Sequence, residues 1–258
     1  MATPVEVMGA VVARAELPGG RHLLSLAAGE LARAAAPGQF ALLRCTDGRE
    51  PYLRRALPYL RSSGEVVSFL FQAADPGLEW LARRALGEPV SLIGPLGRGF
   101  ALHPGTRRLL LAALGGPVAP LLALANLALA AEIGVSLAVD AALATDLAPI
   151  IPEAVEMLAA PLDGGTGLPG APAPPGTVWG IDAGMLAWAD QVAVAGPPER
   201  LARLAQLDGV LRPGFVQCYV EAPMACGLGW CGSCLAGTRR GLRRVCVGGP
   251  VFDLRELI

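Results

Sequence analysis

The sequence predicts a multi-domain fold: an antiparallel β-barrel, an α/β domain built on a parallel sheet, and a small cysteine-bearing unit at the C-terminal end. Three observations carry that prediction. Short β-type segments separated by turn residues fill the first hundred positions, apolar runs then alternate with helical stretches, and four of the six cysteines gather between Cys226 and Cys246. Closely punctuated short strands favour a barrel. Strands alternating with helices favour a parallel sheet covered on both faces. The expected boundaries are 1–102, 103–212 and 213–258.

In the first region Val5–Ala15, His22–Leu26, Gln39–Arg44, Val66–Gln72 and Pro89–Ile93 read as strands. Pro18-Gly19-Gly20, Pro37-Gly38, Thr46-Asp47-Gly48 and Ser62-Ser63-Gly64 are the turns between them. Asp75-Pro76-Gly77 is a helix start and predicts a helix over Leu78–Ala85. In the second region Arg108–Ala113, Val135–Val139, Val178–Trp179 and Gln191–Ala195 read as buried strands. Ala119–Ile133, Pro152–Leu158, Ala183–Trp188 and Pro198–Gln206 read as helices. Ala159–Thr177, rich in Gly, Pro and Ala, reads as a loop. Asp163-Gly164-Gly165-Thr166-Gly167 lies within it with no strand ahead, so its glycines are a poor match to a phosphate-binding turn.

Twenty-one basic residues balance twenty-two acidic ones, and no basic cluster is interleaved with aromatics, which argues against nucleic acid as a partner. Charged residues make up 17% of the chain, against about 25% in ordinary soluble domains. That suits a subunit that buries surface against a partner, and equally a genome favouring Ala, Leu, Gly, Pro and Arg. Leu109–Ala131 carries no charge and is long enough to cross a bilayer. Gly115-Gly116-Pro117 and Pro120 would break such a helix, so the segment reads as a buried strand, a glycine-rich turn and a helix. Met1–Gly20 has no signal-peptide pattern, and a soluble cytoplasmic protein is the expectation.

The run Cys226-Gly227-Leu228-Gly229-Trp230-Cys231-Gly232-Ser233-Cys234, followed after eleven residues by Cys246, has the C-x4-C-x2-C plus remote cysteine spacing of a plant-type [2Fe-2S] loop. Three thiolates wrapping one small cluster need irregular turns, which Gly227, Gly229 and Gly232 allow. Structural zinc sites use four cysteines as two short-spaced pairs, a poorer match. A zinc-bound interaction module stays open as an alternative. Cys45 and Cys218 stand apart and read as buried free thiols. His22 and His103 lie in no catalytic arrangement. Trp230, inside the loop, suits a docking anchor or a shield for the cluster.

Beyond the cysteines, the informative segments are Glu221-Ala222-Pro223-Met224-Ala225, Arg244-Val245-Cys246-Val247-Gly248-Gly249-Pro250-Val251-Phe252, Pro37-Gly38-Gln39-Phe40 and Gly94-Pro95-Leu96-Gly97-Arg98-Gly99-Phe100. On these segments the chain resembles the electron-transfer subunits of class 1B dihydroorotate dehydrogenases, in the ferredoxin–NADP reductase superfamily. The resemblance implies an FAD-type barrel, an NAD-binding-like α/β domain and a [2Fe-2S] domain with Cys226, Cys231, Cys234 and Cys246 as ligands. It places flavin contacts at Arg55, Leu57, Phe71, Gln72, Gly77 and Leu78. The family's Arg-Pro-x-Ser reads Arg55-Ala56-Leu57-Pro58 here, without the serine. Its helix-start Gly-Thr, whose N–H groups face the FAD pyrophosphate, reads Gly77-Leu78 after Asp75 and Pro76.

The nicotinamide turn Gly-Gly-Gly-x-Gly-x-Ala-Pro reads Ala113-Leu114-Gly115-Gly116-Pro117-Val118-Ala119-Pro120, and Cys-Gly-Pro reads Ala195-Gly196-Pro197. By resemblance, electrons from dihydroorotate pass from the FMN of a catalytic partner, in a heterotetramer, through the cluster to FAD and NAD. A second alternative is an iron–sulfur relay or scaffold on which the flavin and nucleotide sites have eroded.

Overall fold

The computed structural model describes residues 3–159, 181–207 and 209–258. The strand expected at Val178–Trp179, the loop beyond Ala159 and the glycine run at 163–167 lie outside the described residues.

Six strands close the N-terminal barrel: β1 (Val5–Leu17), β2 (Arg21–Ala27), β3 (Phe40–Leu43), β4 (Arg55–Ser63), β5 (Val66–Gln72) and β6 (Pro89–Leu96), in the order β1-β2-β5-β4-β3-β6. Every pairing around the ring is antiparallel. Closure leaves no exposed sheet edge. Short helices α1 (Gly29–Ala34) and α2 (Pro76–Ala82) send Leu31 and Leu81 into a core with Leu24, Leu26, Tyr59, Phe69 and Leu92. Burying each such aliphatic side chain stabilises the fold by roughly 1.5–3 kcal/mol.

The second sheet is laid down by β7 (Arg108–Ala113), α3 (Ala119–Ala130), β8 (Gly134–Val139), α4 (Ala141–Leu147), β9 (Val155–Ala159), α5 (Ala183–Trp188), β10 (Gln191–Gly196), α6 (Pro198–Leu204) and β11 (Val216–Val220). The chain ends with a hairpin, β12 (Leu235–Thr238) and β13 (Gly241–Arg244), then α7 (Val245–Gly248), β14 (Val251–Asp253) and α8 (Leu254–Leu257). The sheet order is β14-β11-β10-β7-β8-β9. All pairings are parallel except β11 with β14.

Side chains alternate across this sheet as a period of two requires. Leu109, Leu111 and Ala113 pack with α3, while Leu110, Ala112 and Leu114 pack with Leu201 and Leu204 of α6. Helix α3 is apolar on every side because barrel residues Leu60 and Leu70 share its core. That double burial explains the uncharged segment Leu109–Ala131. Among the described residues no helix is long and apolar enough to cross a membrane.

Two expectations are corrected. Pro152–Leu158, read as a helix, contains edge strand β9, held by parallel pairing to β8. Strand β4 was absent from the pattern-based strands because Pro58 and Arg61 interrupt its apolar run. The span 213–258 is stitched into the α/β sheet through β11 and β14, while the cysteine loop, β12, β13, α7 and α8 stand outside it. Barrel and sheet are fastened at the connecting segment. Gln217 and Gln191 both donate to the Ala101 carbonyl, Gln217 accepts from the Ala101 N–H, and Arg98 N–H donates to Gly249 O.

Candidate functional site

The cysteine loop follows directly from β11. Gly227, Gly229 and Gly232 all adopt positive φ (63°, 85° and 70°), and two of them are also pinned by packing. A methyl on Gly227 would meet Leu42 of β3, and one on Gly229 would meet Val247, each at 2.7 Å. The loop therefore rests on the barrel on one side and on α7 on the other. Cys226 Sγ accepts from the N–H groups of Leu228 (3.4 Å) and Cys231 (3.5 Å). The Val245 N–H donates to Cys234 O at 2.7 Å, tying the segment that carries Cys246 to the loop.

Cys226 lies beside Cys231 and Cys234 beside Cys246, and Cys226 is also near enough to Cys246 to act on its charge. Hydrogen bonds from Ser233, then from Cys226, draw Cys231 down to about 6; burial, then the adjacent Cys234 thiol, pushes Cys246 up to about 12. Among the described residues no three His, Cys, Asp or Glu side chains converge as a single ion requires. Two pairs suit a two-iron cluster, whereas one tetrahedral zinc needs all four thiolates on one centre. Cys234 and Cys246 are buried, Cys226 half-buried and Cys231 exposed. Cys45 and Cys218 are buried away from the loop; desolvation raises the Cys45 thiol to about 11, leaving it inert.

A cleft of about 680 Å³ opens between barrel and sheet. Its barrel wall includes Phe40, Leu57, Pro58, Leu70, Phe71 and Leu78. The opposite wall is the turn Gly115–Ala119 with Tyr219 and Glu221. This wall sits where the strand order reverses, since β8 lies on one side of β7 and β10 on the other. Open parallel sheets bind ligands at that switch point. Helix α3 starts there without a side-chain cap, whereas Asp residues cap α2, α4, α5 and α8. Met224 also lines the cleft and stands two positions before Cys226, so cleft and cysteine loop share one segment of backbone.

Of the residues assigned to the flavin, Leu57, Phe71, Gln72 and Leu78 line this cleft. Gln72 spends its side-chain N–H on Gly19 O (3.0 Å). Arg55 and Gly77 are engaged elsewhere. Asp75 takes Arg55 through Nε (2.9 Å) and Nη2 (2.9 Å), and its Oδ1 also accepts from the N–H groups of Gly77 (2.7 Å) and Leu78 (3.2 Å). These bonds, led by the one from Arg55, hold the Asp75 carboxyl below its usual range.

Arg21, Asp140, Asp146 and Tyr219 stand in no motif of the sequence, while Phe40 and Glu221 stand there only as members of the segments that carry the resemblance. Asp140 was findable, because it immediately follows a parallel strand. Arg21 pairs with Asp146 across a sequence gap of 125 residues, a contact no local pattern carries. Glu221 is exposed at the cleft wall, where desolvation by its surroundings pushes its carboxyl up. Leu114 does not face the cleft; its side chain is buried in the opposite core, and its carbonyl accepts from Arg200 (3.2 Å). Gly116 is needed for packing, since a methyl there would lie 2.6 Å from the Gly196 nitrogen.

Comparison with known proteins agrees with this geometry. The iron-sulfur cluster binding domain of dihydroorotate dehydrogenase B matches residues 221–258. The dihydroorotate dehydrogenase B (NAD(+)) electron transfer subunit of Desulforamulus reducens is 32% identical over 254 residues, covering 92% of each chain. The subunit of the same name from Clostridium acetobutylicum is 29% identical over 230 residues, covering 86% of each. A solved NADH-dependent reduced ferredoxin-NADP oxidoreductase superposes with a TM-score of 0.74 at 17% identity, over 98% of this chain and 90% of that one. A ferredoxin NADP+ reductase from Neisseria gonorrhoeae, solved with FAD and NADP bound, gives 0.56 at 15% identity, over 83% and 97%.

Barrel, parallel sheet and four-cysteine loop thus define an iron–sulfur protein with the ferredoxin–NADP reductase fold. Within that class, the chain belongs to the electron transfer subunits of dihydroorotate dehydrogenase B.

Proposed function

We propose that the chain carries electrons between the FMN-bearing catalytic subunit of a dihydroorotate dehydrogenase and NAD, in pyrimidine biosynthesis, as part of a cytoplasmic heterotetramer. The observation that supports this most is the shared backbone of cleft and cysteine loop, which sets a one-electron site beside a nucleotide-sized cavity. When bound, a [2Fe-2S] cluster restricts transfer to single electrons and a flavin converts between single electrons and hydride. Cys226, Cys231, Cys234 and Cys246 would hold the cluster.

Phe40, Leu57, Leu70 and Phe71 offer the apolar walls a flavin ring needs and exclude water from it. In the first turn of α3, Pro120 has no N–H and those of Leu121 and Leu122 donate to Val118 O, so Ala119 N–H is the one placed to meet a nucleotide phosphate. Around the cysteines, Trp230 is 87% exposed, with Leu228 and Val247 exposed beside it. This apolar face suits docking of the catalytic subunit, with Trp230 as an anchor.

The test is the visible spectrum of anaerobically purified protein, with iron and released flavin quantified on the same sample. About two irons and one FAD per chain are expected, and Cys231→Ser should strip the iron while sparing the flavin. A chain that binds zinc in place of iron would end this reading. One observation favours a second reading, a relay without flavin: Asp75 already neutralises Arg55. Iron without flavin, even after FAD is added, would select it.

A further inference from the structure

An arginine beside two free backbone N–H groups at a cleft rim is a seat for an anion. Here the seat is filled from within. Arg55 chelates Asp75 through Nε and Nη2 and gives its Nη1 to Leu53 O at 2.7 Å. The Gly77 and Leu78 N–H groups both point at Asp75 Oδ1. Gly77 itself is explained by packing, since a methyl there would press on Cys45 and Pro51 at 3.0 Å. The cleft offers little compensation. Its described lining holds three carboxylates (Asp140, Asp146, Glu221) against a single guanidinium, and that one, Arg21, is paired with Asp146.

We propose that Asp75 is a built-in stand-in for the flavin's diphosphate. On this account, which rests on the proposed function, the ring and ribityl chain bind on the apolar walls, while the diphosphate must either displace Asp75 from Arg55 or stay in solvent. FAD is then held loosely and exchanges, and the tightness of binding is set by how readily Asp75 releases Arg55.

A double-mutant cycle tests this. The full-length, iron-loaded chain is stripped of flavin and titrated with FAD, and separately with riboflavin, by quenching of flavin fluorescence. Four forms are compared: unchanged, Arg55→Ala, Asp75→Ser and the double variant. Serine keeps the cap of α2 but cannot reach Arg55. Asp75→Ser should tighten FAD by about tenfold and leave riboflavin within about twofold. Arg55→Ala should change FAD affinity less than about threefold alone, and about tenfold in the Asp75→Ser background.

Unchanged or weaker FAD binding in Asp75→Ser overturns the proposal. So does an equal gain for riboflavin, or an Arg55→Ala loss of the same size in both backgrounds. Tight FAD binding by the unchanged chain that is lost in Arg55→Ala would refute Asp75's role and leave the proposed function standing. No flavin uptake by any form would refute both.

Discussion

The cysteine loop and the cleft are built from touching segments, yet they satisfy their chemistry to different degrees. Each feature that four thiolates around a small cluster require is in place: three glycines at positive φ, two thiol pairs and a backbone tie between Cys234 and Val245. In the cleft, the apolar walls are present, but Arg55 at its rim and Arg21 in its lining are already paired with carboxylates of the chain, Asp75 and Asp146. Each thiolate makes a direct metal–sulfur bond, so losing one removes a ligand outright. Phosphate contacts are many, weak and interchangeable, so they can be lost one at a time.

The sharpest way to break that comparison is Cys234→Ser. It should remove nearly all bound iron, measured chemically, while flavin uptake stays within about twofold. Joint loss in a folded protein would mean the two regions are one cooperative site. Next comes Gly116→Ala. Its methyl would collide with the backbone of Ala195 and Gly196 at 2.6–2.7 Å, so urea denaturation should report a loss of about 1–3 kcal/mol. An unmoved midpoint would assign that glycine to ligand approach instead of packing.

Asp75→Ala should cost about 1 kcal/mol through the lost cap of α2, most of it recovered by Asp75→Ser. If serine recovered nothing, the ion pair to Arg55 would be the larger contribution. The smallest effect concerns Glu221, exposed at the cleft wall but with its carboxyl raised by desolvation from its surroundings. Its folded-state pKa lies above the unfolded one, so its contribution is fully present below the unfolded pKa and is lost as pH rises through the folded value. Glu221→Gln should therefore gain stability relative to the unchanged chain between acid and neutral pH. A constant difference across that range would place Glu221 in open water.

Legibility in the sequence followed the same divide. The bounds of β5, β7 and α5 could be read to the residue, because their apolar runs are local and cleanly bounded. The cysteine spacing was equally local. Strand β9 was misread because Glu153, Ala154, Glu156, Met157 and Leu158 are good helix formers, and only pairing with β8 makes the segment extended. The cleft was legible in part: Leu57, Phe71, Gln72 and Leu78 could be placed by resemblance, but Arg21 with Asp146, and Tyr219 with Phe40, meet only in three dimensions. That Asp75 would take both Arg55 and the α2 N–H groups needed the rotamers as well as the order of residues.

The antiparallel partnership of β14 with β11 has a consequence for biogenesis. Strand β14 begins five residues after Cys246 and follows the other described strands. Until it arrives, the outer edge of β11 is unpaired, and the segment holding the fourth thiol is untethered. The final stitch of the sheet and the last ligand of the cage therefore fall into place together. Removal of β14 would thus untether the fourth thiol and expose the β11 edge in one stroke.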